Sequence, residues 1–243
     1  MSKKSKKNEH QSLRIQRERL LNDSTDFFIK EEYNTLRTNI MFSSMGSGCK
    51  VIGFVSANEV EGKSLTCSNL GISLGKNGEN VLIVDGDLRA PKQAKMLEID
   101  GSEGLSNLLV SKVKLSDTIK MTNYKNVDLM PSGTKPPNPS EMLGSDAMKN
   151  LTEYLRGYYD YILMDLPPIN IVTDAAVVSK HLNGLVLVVR DGVTRKEDLL
   201  QSIQRMQNAN SKIIGIVLND KKLTNVGYGK KGKANKYSKY ANE

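Results

Sequence analysis

Two acidic residues separated by a glycine, Asp85-Gly-Asp87, directly follow an apolar run at residues 82–84. A short apolar run of this kind is typical of a buried strand, so both carboxylates are expected at its C-terminal end. A third aspartate, Asp165, ends a similar run at residues 161–164. Ligands of α/β proteins bind at the carboxyl edge of the sheet, where these carboxylates could hold a metal ion or its water shell, or polarise a nucleophile.

A candidate phosphate-binding loop precedes these aspartates in the chain. Residues 57–64 read Ala-Asn-Glu-Val-Glu-Gly-Lys-Ser and have the spacing of a Walker A loop, with Ala57 at the first glycine position. In such a loop, backbone N–H groups at a helix N-terminus hold phosphate, Lys63 neutralises the β and γ oxygens, and the Ser64 hydroxyl binds Mg²⁺. The apolar run before the loop and the helical pattern after it favour this interpretation over a chance Gly-Lys-Ser. The predicted nucleotide-binding residues are Ala57, Glu61, Gly62, Lys63, Ser64 and Leu65.

Alternating strands and helices are predicted to position these groups. Strand-like runs lie at residues 51–56, 81–84, 161–164, 185–189 and 213–218, with a shorter one at Val127–Met130. Helical patterns separate them, notably at residues 63–76 and 195–208. The five longer runs are almost continuously apolar, as strands buried on both faces must be. The order predicts right-handed βαβ units and a single α/β domain of the P-loop NTPase-like type, with a mostly parallel central sheet flanked by helices.

The positive charge of the chain lies in its two ends. The net charge is +8, yet residues 1–19 carry seven Lys and Arg against two Glu, and residues 221–243 carry seven Lys against one Glu. We therefore expect a basic N-terminal arm over 1–27, a P-loop domain over 28–220, and a flexible Lys/Gly/Tyr tail over 221–243. Basic ends of this kind can bind nucleic acid, an anionic membrane surface or an acidic partner, or can simply be solvated. No specific nucleic-acid motif accompanies them.

Cysteine usage and hydropathy indicate the compartment. Cys49 and Cys67 are the only cysteines, too few for a disulfide framework, and neither has a metal-ligand neighbour in the sequence. No stretch of the sequence approaches the roughly 20 apolar residues of a membrane span. We expect a cytoplasmic protein.

Taken together, the motifs resemble those of the bacterial tyrosine kinases (BY-kinases) that regulate capsular and exopolysaccharide synthesis. That family has a Walker A loop, here 57–64, and a Walker A′ strand ending in Asp-x-Asp-x-Arg, here 82–89. Its Walker B strand ends in Asp-x-x-Pro, here 162–168, and residues 133–143 are similar to the loop and helix that precede it. The resemblance covers roughly residues 28–220, and the combination is far more specific than any single motif.

The resemblance implies an ATP-dependent protein-tyrosine kinase that uses ATP and Mg²⁺. Lys63 and Ser64 would hold the ATP phosphates and Mg²⁺. Asp85 would act as the base toward a tyrosine hydroxyl, and Asp87 and Asp165 would shape the metal shell, the aspartates acting through water. These residues are therefore the expected catalytic and metal-binding groups.

The resemblance also implies an adenine contact and the phosphate acceptors. Asn219, at the end of the last predicted strand, is the expected adenine contact. Tyr228, Tyr237 and Tyr240 in the tail are the expected phosphoacceptors, presented to a neighbouring subunit. Arg89, by contrast, is expected to pair with a carboxylate or with a neighbouring subunit, and not with phosphate.

Partners and assembly follow from the same resemblance. Residues 31–42 have apolar side chains at helical spacing. Within them, residues 31–40 resemble the self-association helix of the family, with Glu31 and Arg37 as the self-association residues of a homo-oligomeric ring. The family implies a membrane-spanning adaptor of the polysaccharide chain-length-regulator type, which would recruit the protein to the inner face of the cell membrane. It also implies a cognate tyrosine phosphatase.

Two departures from the family pattern, and one comparison with a related class of ATPases, bear on the alternatives. Glu59-Val60 replaces the usual Pro-Gly of the loop, and β-branched Val60 resists a positive φ if the loop requires one. Asn34 replaces the first arginine of the self-association helix. Partitioning and cell-division ATPase switches carry a second loop lysine, which here is Asn58. A nucleotide-binding pseudo-kinase scaffold and an ATPase switch are therefore the competing hypotheses.

Overall fold

A computed structural model describes residues 15–43 and 48–221 of the chain. The strands are β1 (Lys50–Ser56), β2 (Val81–Asp85), β3 (Lys120–Met121), β4 (Val127–Met130), β5 (Tyr161–Asp165), β6 (Gly184–Arg190) and β7 (Ile213–Asn219). The helices are α1 (Phe27–Ser43), α2 (Lys63–Lys76), α3 (Gln93–Met96), α4 (Leu105–Leu109), α5 (Leu115–Thr118), α6 (Pro139–Leu143), α7 (Asp146–Leu155), α8 (Asp174–Val178) and α9 (Lys196–Asn208), with a 3₁₀ turn at Ser179–His181.

The strands form one seven-stranded sheet in the order β3-β4-β2-β5-β1-β6-β7. All neighbouring pairs are parallel except the short β3, which runs antiparallel to β4 at one edge. Parallel neighbours need crossover connections, and helices on both faces provide them. The predicted α/β fold with a mostly parallel central sheet flanked by helices is confirmed.

The core lies in two layers, one on each face of the sheet. One cluster packs α1 and α2 against the sheet, and the other packs the helices from α4 to α9 against its opposite face. Strands β1, β2 and β5 lie inside the sheet and are almost completely buried. Because the sheet is covered on both sides, its carboxyl edge is the place where polar groups can converge.

Strand β7 departs from the predicted pattern. Its apolar sequence predicted a strand buried on both faces, but Ile216 is 49% and Leu218 is 50% exposed. The prediction was wrong for this strand because β7 lies at the edge of the sheet and pairs only with β6. Apolar runs mark strands, but they do not say which strand lies at an edge.

The packed part of the chain begins before α1. Leu20 and Leu21 are each 4% exposed and belong to the core cluster beneath α2. The Leu21 N–H donates to Asn69 Oδ1 at 2.9 Å, which ties this segment to the middle of α2. We therefore propose that the globular domain starts ahead of Leu20, inside the predicted arm 1–27. Residues 1–14 of that arm and 222–243 of the predicted tail lie outside the described residues.

Within residues 15–43 and 48–221, no helix is both long and apolar enough to cross a bilayer.

Candidate active site

The carboxyl ends of β2 and β5 bring the predicted catalytic groups together. Asp85 and Asp165 lie opposite each other in the register of these adjacent strands. Lys63, the first residue of α2, makes an ion pair with Asp165, and its Nζ lies 3.6 Å from Asp87 Oδ2. All four side chains belong to residues that are at most 7% exposed. The structure thus assembles the four residues predicted as catalytic, whose chemical roles stay predictions.

Lys63 is a buried cation held by carboxylates. Burial by itself lowers the pKa of Lys63, but the charges of Asp165 and Asp87 outweigh it and raise the pKa. The ammonium is therefore retained at the point where the loop would receive the phosphates of a nucleotide. A phosphate is a more highly charged partner than a carboxylate, so the lysine can exchange one for the other.

Asp85 has the features of a general base. Its Oδ2 accepts the backbone N–H groups of Lys92 at 3.1 Å and Gln93 at 2.9 Å, whereas its buried Oδ1 has no hydrogen-bond partner. Burial, and next the charge of Asp165, raise the pKa of Asp85 to about 8. A base is most effective when its pKa lies near the working pH, so this carboxylate is suited to accept a proton.

The site fits a magnesium ion bound mainly through water. Within residues 15–43 and 48–221, no group of three or more His, Cys, Asp and Glu is placed to hold a metal ion directly. Mg²⁺ commonly keeps several waters and uses one or two carboxylates together with substrate phosphates. The Ser64 hydroxyl at the start of α2 and the unpartnered Asp85 Oδ1 suit such an ion and its water shell.

The phosphate-binding loop is held from the far side by β7. Gly62 precedes α2 at a φ of 92°, and a Cβ at this position would come within 1.9 Å of Asn219 Nδ2. Asn219 Nδ2 donates to the Glu61 carbonyl at 2.9 Å. Only glycine fits this position, because of both the φ and the space. The amide nitrogen of Asn219 is thus committed to the loop, and the predicted adenine contact stays a prediction.

The carboxylate of Glu61 holds the loop from within. Glu61 is 1% exposed, accepts the Asn58 N–H at 3.0 Å and accepts the Thr194 hydroxyl at 2.6 Å. The predicted nucleotide-binding segment from Ala57 to Leu65 is therefore a braced loop ending on the first turn of α2.

Val60 adopts the conformation that its sequence disfavours. Its φ is 62°, in the left-handed region, and the residue is 60% exposed with its carbonyl accepting from Arg190 Nη1 at 3.3 Å. A β-branched residue in this region is strained, because its Cβ substituents crowd the backbone. The loop therefore has the positive φ that a β-branched residue was expected to resist.

Replacing Val60 by glycine is expected to stabilise the protein. The left-handed conformation costs an L-residue about 1–2 kcal/mol, which glycine avoids. Glycine also has greater freedom in the unfolded chain, which lowers the stability of the variant by about 0.5–1 kcal/mol. The net gain in the free energy of unfolding should be roughly 0.5–1 kcal/mol or more, since the valine is β-branched. Urea unfolding of the two proteins measures it.

Val193→Gly is the matched control. Val193 is similarly exposed, at 56%, but is not among the residues with a positive φ. Glycine there should lower stability by about 0.5–1 kcal/mol, because only the unfolded-state cost remains. Equal effects at the two positions would contradict the strain assigned to Val60.

The structure also identifies polar residues that the sequence analysis missed. Arg89 pairs through two hydrogen bonds, of 2.8 and 2.9 Å, with the fully buried Asp174 at the start of α8, which confirms the expected carboxylate partner. Ser140, in α6, also donates to Asp174. Gln93 donates hydrogen bonds to Asp165 and to the Ser64 carbonyl in α2. A lone Asp or Gln at the start of a short helix carries no periodic signal, so nothing in the sequence singled out Asp174 or Gln93.

The predicted self-association residues lie on α1. Arg37 Nη1 donates to both the carbonyl and the hydroxyl of Ser73 at 3.0 Å, so this guanidinium fastens α1 to α2 within the chain. Glu31 is exposed and accepts from Asn34 Nδ2 at 2.8 Å. Their part in assembly stays a prediction. The acceptor tyrosines Tyr228, Tyr237 and Tyr240 lie outside the described residues.

Comparison with known sequences identifies relatives along most of the chain. The family model for an AAA domain matches residues 49–217. The tyrosine-protein kinase YwqD of Bacillus subtilis is 36% identical over 194 residues, which cover 80% of this chain and 82% of the relative. The tyrosine-protein kinase wzc of Salmonella typhi is 33% identical over 195 residues, which cover 80% of this chain but 27% of that much longer protein.

Solved structures agree with these relatives. The kinase domain of the Escherichia coli tyrosine kinase ETK superposes with a TM-score of 0.77 at 31% identity, covering 83% of this chain and 80% of the other. The septum site-determining protein MinD of Pyrococcus horikoshii, in complex with Mg-ADP, gives a TM-score of 0.59 at 28% identity over 70% of each chain. Motifs, fold and relatives agree, and the chain belongs to the bacterial tyrosine kinases, a family of protein-tyrosine kinases built on a P-loop domain.

Proposed function

We propose that this protein transfers the γ-phosphoryl group of ATP to Tyr228, Tyr237 and Tyr240 in the tail of a neighbouring subunit, and thereby regulates the synthesis and export of capsular or extracellular polysaccharide. The observation that carries the proposal is the state of Asp85. A buried carboxylate with a pKa of about 8 and one unpartnered oxygen, beside a buried lysine, suits removal of a proton from a phenol.

Each residue of the site has a part in this transfer. Lys63 would leave Asp165 and Asp87 for the β and γ oxygens of ATP, where its charge stabilises the charge that develops on the transferred group. Asp85 would accept the proton of the tyrosine hydroxyl as the phenolic oxygen bonds to phosphorus and ADP leaves. When bound through Ser64 and the water near the aspartates, Mg²⁺ neutralises phosphate charge. Asn219 would contact the adenine.

The charge distribution supports entry of the tail into an active site. The tail carries seven Lys against one Glu, whereas the site holds three buried aspartates and would hold a polyphosphate. Complementary charge speeds encounter and orients the approaching chain. Residues 221–243 would thus serve as a substrate segment, and the domain preceding them as the kinase. Glu31 and Arg37 on α1 would contribute to a ring of subunits that places tail beside site.

Activation and location are proposed to depend on a second protein. The relative wzc is much longer than this chain, which spans 27% of it. We propose that a separate membrane-spanning adaptor of the chain-length-regulator type supplies the remainder, holds this protein at the inner face of the membrane and activates it. The basic N-terminal arm would assist at the anionic leaflet. A cognate phosphatase would reset the tail.

Loss of the tail hydroxyls is the direct test. A variant with Tyr228, Tyr237 and Tyr240 all changed to Phe should lose at least about 90% of its phosphotyrosine signal after incubation with Mg-ATP and the adaptor's cytoplasmic segment, since no phenol remains to receive phosphate. Tyr158→Phe is the matched control, because Tyr158 is 62% exposed on the body of the protein. An unchanged signal in the triple variant would place the acceptors elsewhere.

Mixing two defective proteins tests transfer between subunits. One protein would carry Lys63→Met with an intact tail, and the other the triple Phe tail with an intact site. Phosphotyrosine should appear on the Lys63→Met protein only when both are present. If neither protein is labelled in the mixture although the parent labels itself, transfer within one subunit replaces this proposal.

The likeness to MinD favours one alternative, an ATPase switch. The residue at the position of the second loop lysine of such switches is Asn58, which argues against this alternative. The Asn58 N–H donates a hydrogen bond to the Glu61 carboxylate. ATP hydrolysis without phosphotyrosine would favour the switch. Nucleotide binding without either ATP hydrolysis or phosphotyrosine would favour a pseudo-kinase scaffold. The structural observation behind that alternative is the strained backbone at Val60.

A further inference from the structure

We propose that Gln93 is a positioning residue for phosphoryl transfer: it holds Asp165 in place and orients Asp85 when Lys63 moves to the nucleotide phosphates. This inference rests on the proposed kinase function and deepens it. Gln93 is the first residue of α3, four residues after the arginine that ends the Asp-x-Asp-x-Arg segment, and is fully buried at 0% exposure. A buried amide is retained at such a position only if its polar atoms are satisfied.

The side chain of Gln93 joins the Walker A helix to the Walker B strand. Its Nε2 donates to Asp165 Oδ2 at 2.9 Å and to the Ser64 carbonyl at 3.1 Å. Its Oε1 accepts from the Ser68 hydroxyl at 2.6 Å, which fixes the orientation of the amide. Both donors of the amide are therefore used, one on each motif.

The backbone of the same residue fixes the third motif. The Gln93 N–H donates to Asp85 Oδ2 at 2.9 Å, which leaves Oδ1 as the unpartnered atom. Gln93 thereby determines which carboxylate oxygen of Asp85 and of Asp165 accepts its hydrogen bond. Asp165 presents Oδ1 to Lys63 and Oδ2 to Gln93, while Asp85 keeps Oδ1 available for a proton.

The consequence appears when the lysine leaves. Lys63 is the cation paired with Asp165, and a buried carboxylate left without a donor is unfavourable and would turn away. The amide of Gln93 is neutral and is not attracted to phosphate, so its hydrogen bond to Asp165 persists. Asp165 would then remain oriented toward the water shell of a metal ion, and Asp85 would not be disturbed.

The test uses Gln93→Met, which keeps the volume and removes both side-chain donors. A misplaced group at a reacting centre costs about 10–100-fold, so kcat for tyrosine phosphorylation should fall by about that factor. The KM for ATP should change less than about threefold, because Lys63 and the loop backbone still bind the phosphates. Asn69→Leu is the control. Asn69 is a buried amide on α2, the helix that Gln93 contacts, but it holds Leu21 and Arg19, so kcat should be retained.

Gln93→Glu adds a pH signature that mere packing would not produce. A protonated glutamic acid can still donate to Asp165, whereas its ionised form cannot. The ratio of variant to parent kcat should therefore fall as the pH rises from 6 to 9. A pH-independent ratio, an unchanged kcat in Gln93→Met, or a loss shared by Asn69→Leu would overturn the positioning role.

Unfolding separates this proposal from the kinase proposal. If the parent makes no phosphotyrosine, the kinase function fails, but the coupling of Gln93 to Asp165 can still be measured. The shifts in urea midpoint caused by Gln93→Met and Asp165→Asn should be non-additive, since the two residues share a hydrogen bond. The pair Gln93→Met and Asp174→Asn, which shares none, should be additive. Additivity in both pairs would overturn the inference.

Discussion

Lys63→Met is expected to remove nearly all kinase activity, by about 10²–10³-fold or more, because it deletes a preorganised charge at the transferring phosphate. The structure predicts a second effect. Lys63 is the cation beside Asp165 and Asp87, and Asp85 lies in the same buried group. Removing one partner of a buried ion pair costs about 3–5 kcal/mol when the other remains charged.

The loss of stability in Lys63→Met should depend on pH. The charge of Lys63 lowers the pKa of Asp85, so without the lysine that pKa should rise further, and the folded variant should keep this proton to a higher pH than the unfolded chain does. Stability then falls as the pH rises. The gap in free energy of unfolding between variant and parent should be widest at pH 8 and narrow toward pH 5. Urea unfolding at both pH values measures it alongside the phosphotyrosine signal.

Lys76→Met is the control for this variant. Lys76 also lies on α2, but its side chain is 47% exposed and its nearest carboxylate, on Asp23, is 3.7 Å away and fully exposed. Exposed ion pairs of this kind contribute little to stability, so the free energy of unfolding should change by less than about 0.5 kcal/mol. The kinase activity should be unchanged. Parent-level phosphotyrosine in Lys63→Met would refute the role of the lysine.

Asp85→Asn is expected to produce an inactive and more stable protein. Loss of a general base costs about 10²–10⁴-fold in rate. The asparagine oxygen can still accept the backbone N–H groups of Lys92 and Gln93, so the local structure should be kept. The gain in stability arises because the variant no longer has to bury an ionisable carboxyl.

The sign of that gain follows from the pKa of Asp85. It is raised from 3.8 to about 8 in the folded protein, so between these values the folded state holds a proton that the unfolded state has lost. The stability of the parent should therefore fall as the pH rises from about 4 to about 8. The difference in free energy of unfolding between Asp85→Asn and the parent should grow over the same pH range, by at most roughly 1.4 kcal/mol for each pH unit.

Rate and stability should report the same group. For the parent, kcat/KM for phosphorylation should rise with pH through about 8, as the base becomes deprotonated. Asp117→Asn, at an exposed aspartate of α5, should change neither the rate nor the pH dependence of unfolding. If Asp85→Asn retains activity, the base lies elsewhere. If its stability follows pH as the parent's does, the raised pKa belongs to another residue.

Local sequence was sufficient for the elements and for the main chemistry of this protein. Continuous apolar runs predicted the parallel strands, and the boundaries of α2 and β4 agree with the residues predicted. Gly-Lys-Ser and the strand-end aspartates are local motifs whose position relative to a strand is enough to place them at the carboxyl edge. Local sequence also identified Val60 as a difficulty if the loop needed a positive φ, and the structure supplied that φ.

Only the tertiary structure decided which groups touch. The pairing of Asp85 with Asp165 depends on strand register across the sheet, and the junction at Gln93 depends on where a short helix packs. The exposure of β7 depends on its place at the edge of the sheet. The physical reason is that periodicity and turn chemistry act between near neighbours in the chain, whereas hydrogen bonds between buried side chains form between distant segments and leave no periodic trace. The sequence thus identified Asp85 and Lys63 as the groups that carry the chemistry. The packing determined the pKa of Asp85 and placed the Gln93 N–H where it holds that carboxylate.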